Sequence, residues 1–316
     1  MRKALITGIA GQDGSYMAEL LLQKGYEIHG VAKSTKPENL WRISQILPKV
    51  KLYEFELGTS EEAFAEIFKK INPDEVCHLA SQVETRNLFD EESNTLRSNF
   101  LSTHHLLRVI KKWKADTKIV VAGSILMFGD GEFSKNESTS VSPKTLYGIA
   151  KAASYYLANM YRDQYKIFAC TAVLSNHESP RKDPKFLVSK ITSTAVKIKQ
   201  GLEKELNLES LEVKRDWGFA GDYVEAMHLM LQNPKPENYI IATGLSHSVK
   251  DLLDITFGYL GLDWKKYVKV SDSFSSPKNA GFVGDISKIK KELGWSPKTK
   301  LDDLLKMMVD AEAKKL

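Results

Sequence analysis

The sequence predicts an α/β fold built on a doubly wound parallel sheet, and three observations carry that prediction. Lys3 to Gly25 reads as strand, glycine turn and amphipathic helix; short apolar strands then alternate with helices as far as Ala122; and the composition is that of an ordinary globular chain. The 316 residues, 42% hydrophobic and 27% charged, suffice for one large domain or two unequal ones.

Ala4 to Thr7 is a short apolar run that leaves no room for a helical turn before Gly8, Gly11 and Gly14. Glycines at this spacing permit a tight turn, close backbone approach to a pyrophosphate, and close helix–strand packing with the phosphates at the positive helix end. Tyr16, Met17 and Leu20 to Leu22 recur at helical spacing up to a stop at Gly25. A nucleotide site is the reading. Glu27 to Ala32 is the second strand. A dinucleotide lacking a 2′-phosphate usually meets an acidic residue near the end of this strand. Here Ala32 is followed by Lys33 and Ser34, with Arg42 beyond, so NADP(H) is favoured and NAD(H) stays open.

Val50 to Leu57 is expected as the third strand, Glu61 to Ile71 as a helix capped by Ser60, and Glu75 to Ala80 as the fourth strand. Asn94 to Lys112 reads as one long helix striped by Phe100, Leu106, Leu107 and Ile110. Lys118 to Ala122 is the fifth strand, running into Gly123 and Ser124 at the carboxyl end where such sheets bind ligands. Tyr147 and Lys151 follow at a spacing that puts both on one helix face. A phenol is a poor acid or base at neutral pH, and a neighbouring ammonium is expected to pull its pKa toward working range, with Ser124 bonding the reacting oxygen.

Ala169 to Leu174 is expected as a sixth strand, Phe186 to Gly201, Val249 to Leu260 and Leu301 to Val309 as helices, Asp222 as a helix cap, and Asp216 as half of a buried ion pair. The balance of 45 basic against 40 acidic residues is mild and dispersed, which argues against a nucleic-acid face. Cys77 and Cys170 sit in apolar segments and read as buried thiols; no Cys or His spacing suggests a metal, and no apolar run suggests a membrane span. A cytoplasmic enzyme is the expectation.

At Ser124, Tyr147 and Lys151 the chain resembles the extended short-chain dehydrogenases/reductases, and within them the GDP-mannose 4,6-dehydratases. ALITGIAGQDGSYMAELLLQKGYEIHG from Ala4, FAC at Phe168, NHESPR at Asn176, KRDWGFAGDYVEAM at Lys214, YIIATG at Tyr239 and the later GDISKIKKELGWSPK carry the likeness over essentially the whole length. It implies a Rossmann domain over residues 1–170 and, over 171–316, a smaller α/β lobe that binds a nucleotide sugar and interleaves with the first. Implied cofactor residues are Gly8, Gly11, Gln12, Asp13, Gly14, Lys33, Glu56, Leu57, Leu79, Ala80, Tyr147 and Lys151. Implied contacts to a GDP-linked sugar are Gln82, Asn176, Arg181, Val188, Lys190 and Arg215. A homodimer or homotetramer is implied by analogy.

The departures bear on the reaction. Leu126 stands where those dehydratases carry the glutamate that removes the C5 proton and expels the C6 hydroxyl, and leucine moves no proton. Their Ala-Gln-Ser-His becomes Ser81-Gln82-Val83-Glu84, which loses a second hydroxyl and offers Glu84 as a substitute acid. Their Arg-Pro-Thr-Glu becomes Ser276-Pro277-Lys278-Asn279. The sequence therefore reads as an NADP-dependent 4-keto reductase acting at C4 of a GDP-linked sugar through Ser124, Tyr147 and Lys151. A dehydratase, a C4 epimerase and a non-catalytic sugar-nucleotide binder are the alternatives.

Overall fold

The computed structural model describes residues 1–82, 92–130, 133–271 and 281–315. In chain order its main elements are β1 (Lys3–Thr7), α1 (Gln12–Gln23), β2 (Glu27–Ala32), β3 (Val50–Glu54), α2 (Glu61–Ile71), β4 (Glu75–His78), α3 (Glu92–Leu96), α4 (Ser102–Trp113), β5 (Lys118–Ala122) and α5 (Leu146–Tyr165). There follow β6 (Ala169–Leu174), β7 (Asn176–Glu178), α6 (Leu187–Lys199), β8 (Trp217–Phe219), α7 (Ala220–Gln232), β9 (Tyr239–Ile241), α8 (Val249–Tyr259), α9 (Ser287–Leu293) and α10 (Leu301–Ala313).

Seven strands form one sheet in the order β9-β6-β5-β4-β1-β2-β3, every neighbouring pair parallel. Side chains alternate across a strand, so each strand feeds two cores. Ala4, Ile6, Cys77, Val120 and Cys170 face α1 and α7, whereas Leu5, Val76, Ile119 and Ala169 face α2, α4 and α5. Burying each Leu, Ile or Val among them stabilises the fold by roughly 1.5–3 kcal/mol, which is why the central strands are apolar on both faces. Both cysteines are free and buried.

The chain crosses residue 170 inside β6, and it later returns to the sheet edge as β9 while α7 packs on the α1 face. A third core joins α6, α8 and α10 through Ile191, Leu253, Phe257 and Leu304. Among the described residues no helix is long and apolar enough to cross a membrane.

Several expected elements change. β3 and β4 stop at Glu54 and His78 rather than Leu57 and Ala80, because the backbone turns away there to border a cavity. The long helix is interrupted by a π-helical turn at Arg97–Leu101. Hydroxyls there bond backward, Ser98 to the Asn94 carbonyl (2.7 Å) and Ser102 to that of Ser98 (2.6 Å), and such back-bonds loosen the regular ladder. Asp222 lies inside α7, with Phe219 at the N-cap; its carboxylate accepts from the Lys298 and Thr299 amides at 2.9 and 2.8 Å and so ties the C-terminal segment to α7. Asp216, fully buried, accepts from the amides of Thr243 (2.8 Å), Gly244 (3.0 Å) and Gly284 (3.2 Å). These amides, together with the Thr243 hydroxyl at 2.6 Å, do the work expected of a cationic partner.

Candidate active site

The carboxyl ends of β1, β4, β5 and β6 converge, as parallel sheets place their ligand sites. Two adjoining cavities open there, of about 610 Å³ and about 330 Å³, and Gly8, Gly11, Leu79 and Ser81 line both. The glycine turn between them admits no side chains. Gly8 has φ +72°, and a Cβ on it would stand 2.7 Å from the Ala80 Cα; a Cβ on Gly14 would stand 2.2 Å from the Gly8 carbonyl oxygen. The N-cap of α1 is Gly11, with no side-chain cap, so the first-turn amides are left for a ligand.

The larger cavity runs from the turn past Ala32, Lys33 and Ser34 to Glu56, Leu57, Ala80 and Gln82. Lys33 does not face it as an unpaired cation: its ammonium lies 2.9 Å from the Glu56 carboxylate. Arg42 borders the smaller cavity instead, where its Nε donates to the Arg181 carbonyl at 2.7 Å. The three residues from which a 2′-phosphate site was expected are therefore divided between the two cavities.

The smaller cavity gathers Gln12, Asp13, Gly14, Ser124, Leu126, Tyr147, Lys151, Asn176 and Arg181. Ser124 caps a short turn, accepting from the Leu126 amide at 3.2 Å, which leaves its own hydrogen to donate into the cavity. Leu126, 41% exposed, borders the same space. Tyr147 begins α5 beneath its Thr145 cap, and Lys151 lies one turn on with Nζ bonded to the Ala122 carbonyl at 2.8 Å. Burial lowers Lys151 to about 8. Burial also raises the Tyr147 phenol, outweighing the nearby Ser81 and Ser124 hydroxyls, and the Asp13 charge adds to the rise. The expected lowering of Tyr147 by its lysine is thus absent: the ammonium, 5.6 Å from the ring centroid, is turned to a carbonyl.

Other expected contacts lie elsewhere. Val188 is inside the third core, and Lys190 Nζ donates to the Asn207 carbonyl at 2.7 Å. Arg215 covers the Phe282 ring at 5.2 Å; none of these three lines either cavity. Arg181 does, but its guanidinium is engaged with Ser15 (3.0 Å) and Glu19 (2.6 Å) on α1. Glu84 and Ser276 to Asn279 lie outside the described residues.

One feature escaped the sequence reading. His177 on β7 sits with Nδ1 2.8 Å from the Ser175 carbonyl and Nε2 2.9 Å from the Asp13 carboxylate. Both ring nitrogens face acceptors, an arrangement that favours the imidazolium. Burial alone would lower His177, but Asp13 outweighs it and the pKa is raised. Burial opposes the Asp13 charge too, yet His177 holds that carboxyl at about 2. The partners are 164 positions apart, so no local pattern announces them. Among the described residues no cluster of His, Cys, Asp or Glu could hold a metal ion.

Comparison with known proteins agrees with this architecture. The family described as GDP-mannose 4,6 dehydratase matches residues 5–308. GDP-mannose 4,6 dehydratase 2 of Arabidopsis thaliana is 41% identical, covering 98% of this chain and 86% of its own. A UDP-glucose 4-epimerase of Thermotoga maritima, solved with UDP-glucose, superposes with TM-score 0.86 at 25% identity over 99% of both chains. A dTDP-glucose 4,6-dehydratase of Bacillus anthracis, solved with NAD, superposes with TM-score 0.87 at 21% identity over 99% of this chain and 97% of that one. A whole-length match at this identity, on a parallel sheet whose strand ends gather Ser124, Tyr147 and Lys151, places the chain in the GDP-mannose 4,6-dehydratase family of the extended short-chain dehydrogenases/reductases.

Proposed function

We propose that the protein is an NADP-dependent oxidoreductase acting at C4 of a GDP-linked sugar, in the direction of a 4-keto reductase, and that it does not dehydrate its substrate. The observation that carries this reading is Leu126, exposed on the cavity wall beside Ser124 and Tyr147 at the position where the resemblance puts the dehydratases' glutamate. Without a proton carrier there, elimination loses a contribution of about 10²–10⁴-fold, whereas hydride transfer at C4 does not use that residue.

The glycine turn and the cavity beyond it fit a dinucleotide: the close approaches at Gly8 and Gly14 leave backbone amides as the walls of the turn. When bound, the nicotinamide would supply or accept the hydride. In reduction, Tyr147 gives its proton to the C4 oxygen while Ser124 donates a hydrogen bond to that oxygen. The Lys151 ammonium, bonded to the Ala122 carbonyl in the free protein, would have to turn toward the phenolate left behind to stabilise it until solvent returns a proton. NADP(H) is preferred because Lys33 and Ser34 follow the end of β2, and a 2′-phosphate would draw Lys33 away from Glu56.

A second reading, dehydration, has its own support: relatives at 33–41% identity are named dehydratases, and Glu178, whose pKa is raised by burial, lines the same cavity. Incubation with GDP-mannose, and separately with a GDP-4-keto-6-deoxy sugar plus NADPH or NADH, followed by mass spectrometry, tests the choice. A gain of two hydrogens in the keto sugar with loss of NADPH, abolished in Tyr147→Phe, supports the reductase. Loss of water from GDP-mannose overturns it.

A further inference from the structure

A third cavity, of about 330 Å³, shares no lining residue with the two cavities of the candidate site. Its walls include Phe128, Asp130, Lys135, Asn136, Ser140 and Ser142. The short strand Ser134–Lys135 pairs with Val283–Gly284; successive side chains on a strand point to opposite sides, so Ser134 is exposed and Lys135 is turned inward. Lys135 is only 2% exposed.

A lysine is almost never buried this deeply without a partner, because an ammonium taken out of water loses its hydration. The other deeply buried lysine among the described residues, Lys151 at 3% exposure, follows the rule by donating to the Ala122 carbonyl at 2.8 Å. Lys135 does not follow it. Among the described residues its ammonium has no ion pair, no hydrogen-bond acceptor and no aromatic ring to face.

The rest of the wall offers donors. Asn136 Oδ1 accepts from the Ser138 amide (2.9 Å) and hydroxyl (2.7 Å), which fixes the side-chain amide with Nδ2 as its free end. The Ser140 and Ser142 hydroxyls have no partner among the described residues. The one acid on the wall, Asp130, makes no ion pair with Lys135, and its charge bears on Arg215.

We propose that this cavity binds a tetrahedral oxyanion, inorganic phosphate or the phosphate of a monoester. Lys135 supplies the counter-charge, and Asn136 Nδ2 with the two serine hydroxyls supplies donors. A lysine is a compact point charge suited to phosphate. Three or four oxygens can meet all of these groups at once, where the two of a carboxylate cannot. The Ser142 amide donates to the Met127 carbonyl at 3.0 Å, so the anion would lie against the turn Ile125–Phe128 that carries Leu126 and against the stretch leading to the Thr145 cap of α5. The site stands apart from the C4 reading and does not depend on it.

Differential scanning calorimetry at neutral pH and constant ionic strength, with chloride exchanged for phosphate, is the test. A ligand that binds only the folded chain raises Tm with the logarithm of its concentration above Kd. The parent chain is expected to rise in this way. Lys135→Met, which keeps the stem and loses the ammonium, is expected to need at least about 10-fold more phosphate for the same rise. Asn136→Asp keeps the acceptor for Ser138 and replaces the donor end by a second carboxylate oxygen. It is expected to weaken the response as much, and it leaves the buried lysine in place should Lys135→Met fold poorly. The general effect of phosphate as an excluded salt, and its binding at the glycine turn, are common to all three chains and cancel. Repeating the titration with methyl phosphate separates the two sources: a Lys135-dependent rise assigns the site to a phosphate carried on a larger molecule, and its absence to the free ion. A phosphate response unchanged in both variants overturns the proposal.

Discussion

Replacing Asp13 by Asn removes one charge from the pair that joins the glycine turn to β7. Burial raises the Asp13 carboxyl, and the charge and hydrogen bond of His177 overcome that rise and bring it from 3.8 down to about 2. A displacement of nearly two units is worth roughly 2 kcal/mol to the folded state, at 1.36 kcal/mol per unit. With an unfolding entropy of about 2.1 cal/mol/K per residue, 316 residues give about 0.66 kcal/mol/K, so Asp13→Asn lowers Tm by about 3 °C. The pH dependence follows from both partners. A depressed carboxyl stabilises above its unfolded pKa and loses that contribution as pH falls through about 2. A raised histidine stabilises below its unfolded value of 6.5 and loses that contribution as pH rises through its folded pKa. The gap between parent and variant is therefore widest from about pH 4 to about pH 6.5 and narrows on either side. Differential scanning calorimetry of Asp13→Asn, His177→Gln and the double variant across that range reads it directly. A gap as large at about pH 9.5 as at about pH 5.5, or additive single losses, would show that no ion pair spans the cleft.

Two further outcomes follow from the same cavity. Leu126→Glu restores a carboxylate on the wall beside Tyr147 and is expected to raise water loss from GDP-mannose by about 10²-fold over the parent chain, measured by mass spectrometry; no gain would place the barrier to elimination elsewhere. Lys151→Met is expected to abolish C4 chemistry while melting higher at neutral pH. Burial lowers the ammonium from 10.5 to about 8, a penalty of about 3 kcal/mol that is fully present below about pH 8 and relaxes as pH rises toward 10.5; loss of the bond to Ala122 offsets about 1 kcal/mol. An unchanged or lower Tm at neutral pH would contradict the cost assigned to the buried charge.

Legibility in the sequence followed the range of the interaction. The glycine turn, the helix Glu61–Ile71 with its Ser60 cap, and strands such as Lys118–Ala122 depend on residues a few positions apart, and their bounds were readable. Asp216 has no cationic partner because the amides of Thr243, Gly244 and Gly284, which have no side-chain signature, and the Thr243 hydroxyl, 27 positions away, take that place. Asp222 looked like a cap because a carboxylate near a helix start usually is one; its amide partners lie 76 and 77 positions later. The π-helical turn hid in a stretch whose apolar stripe is regular, since the insertion is driven by buried hydroxyls rather than by a helix breaker. Residue type and spacing single out Ser124, Tyr147 and Lys151, which the structure brings to one cavity.

Leu126 also has a consequence for what the cavity prefers. On the proposed reading, the C5–C6 edge of the sugar lies over this position, where the resemblance puts the dehydratases' glutamate. A leucine 41% exposed in the free protein gains from any apolar group laid on it, about 0.8 kcal/mol for one methyl. A C6 hydroxyl in the same place would be desolvated against an aliphatic surface, at a cost of about 1–3 kcal/mol if it finds no new partner. The two effects act in the same direction, so a 6-deoxy sugar should bind at least about 20-fold more tightly than its 6-hydroxy counterpart, and the preference should shrink in Leu126→Ser, which accepts a hydroxyl. Calorimetric titration with GDP-mannose and GDP-6-deoxymannose, both in the alcohol form so that no turnover intervenes, measures the difference. Equal affinities, or a preference that survives Leu126→Ser intact, would mean that the C6 substituent does not lie over this residue, and the C4 reading would then have to stand on Tyr147 alone.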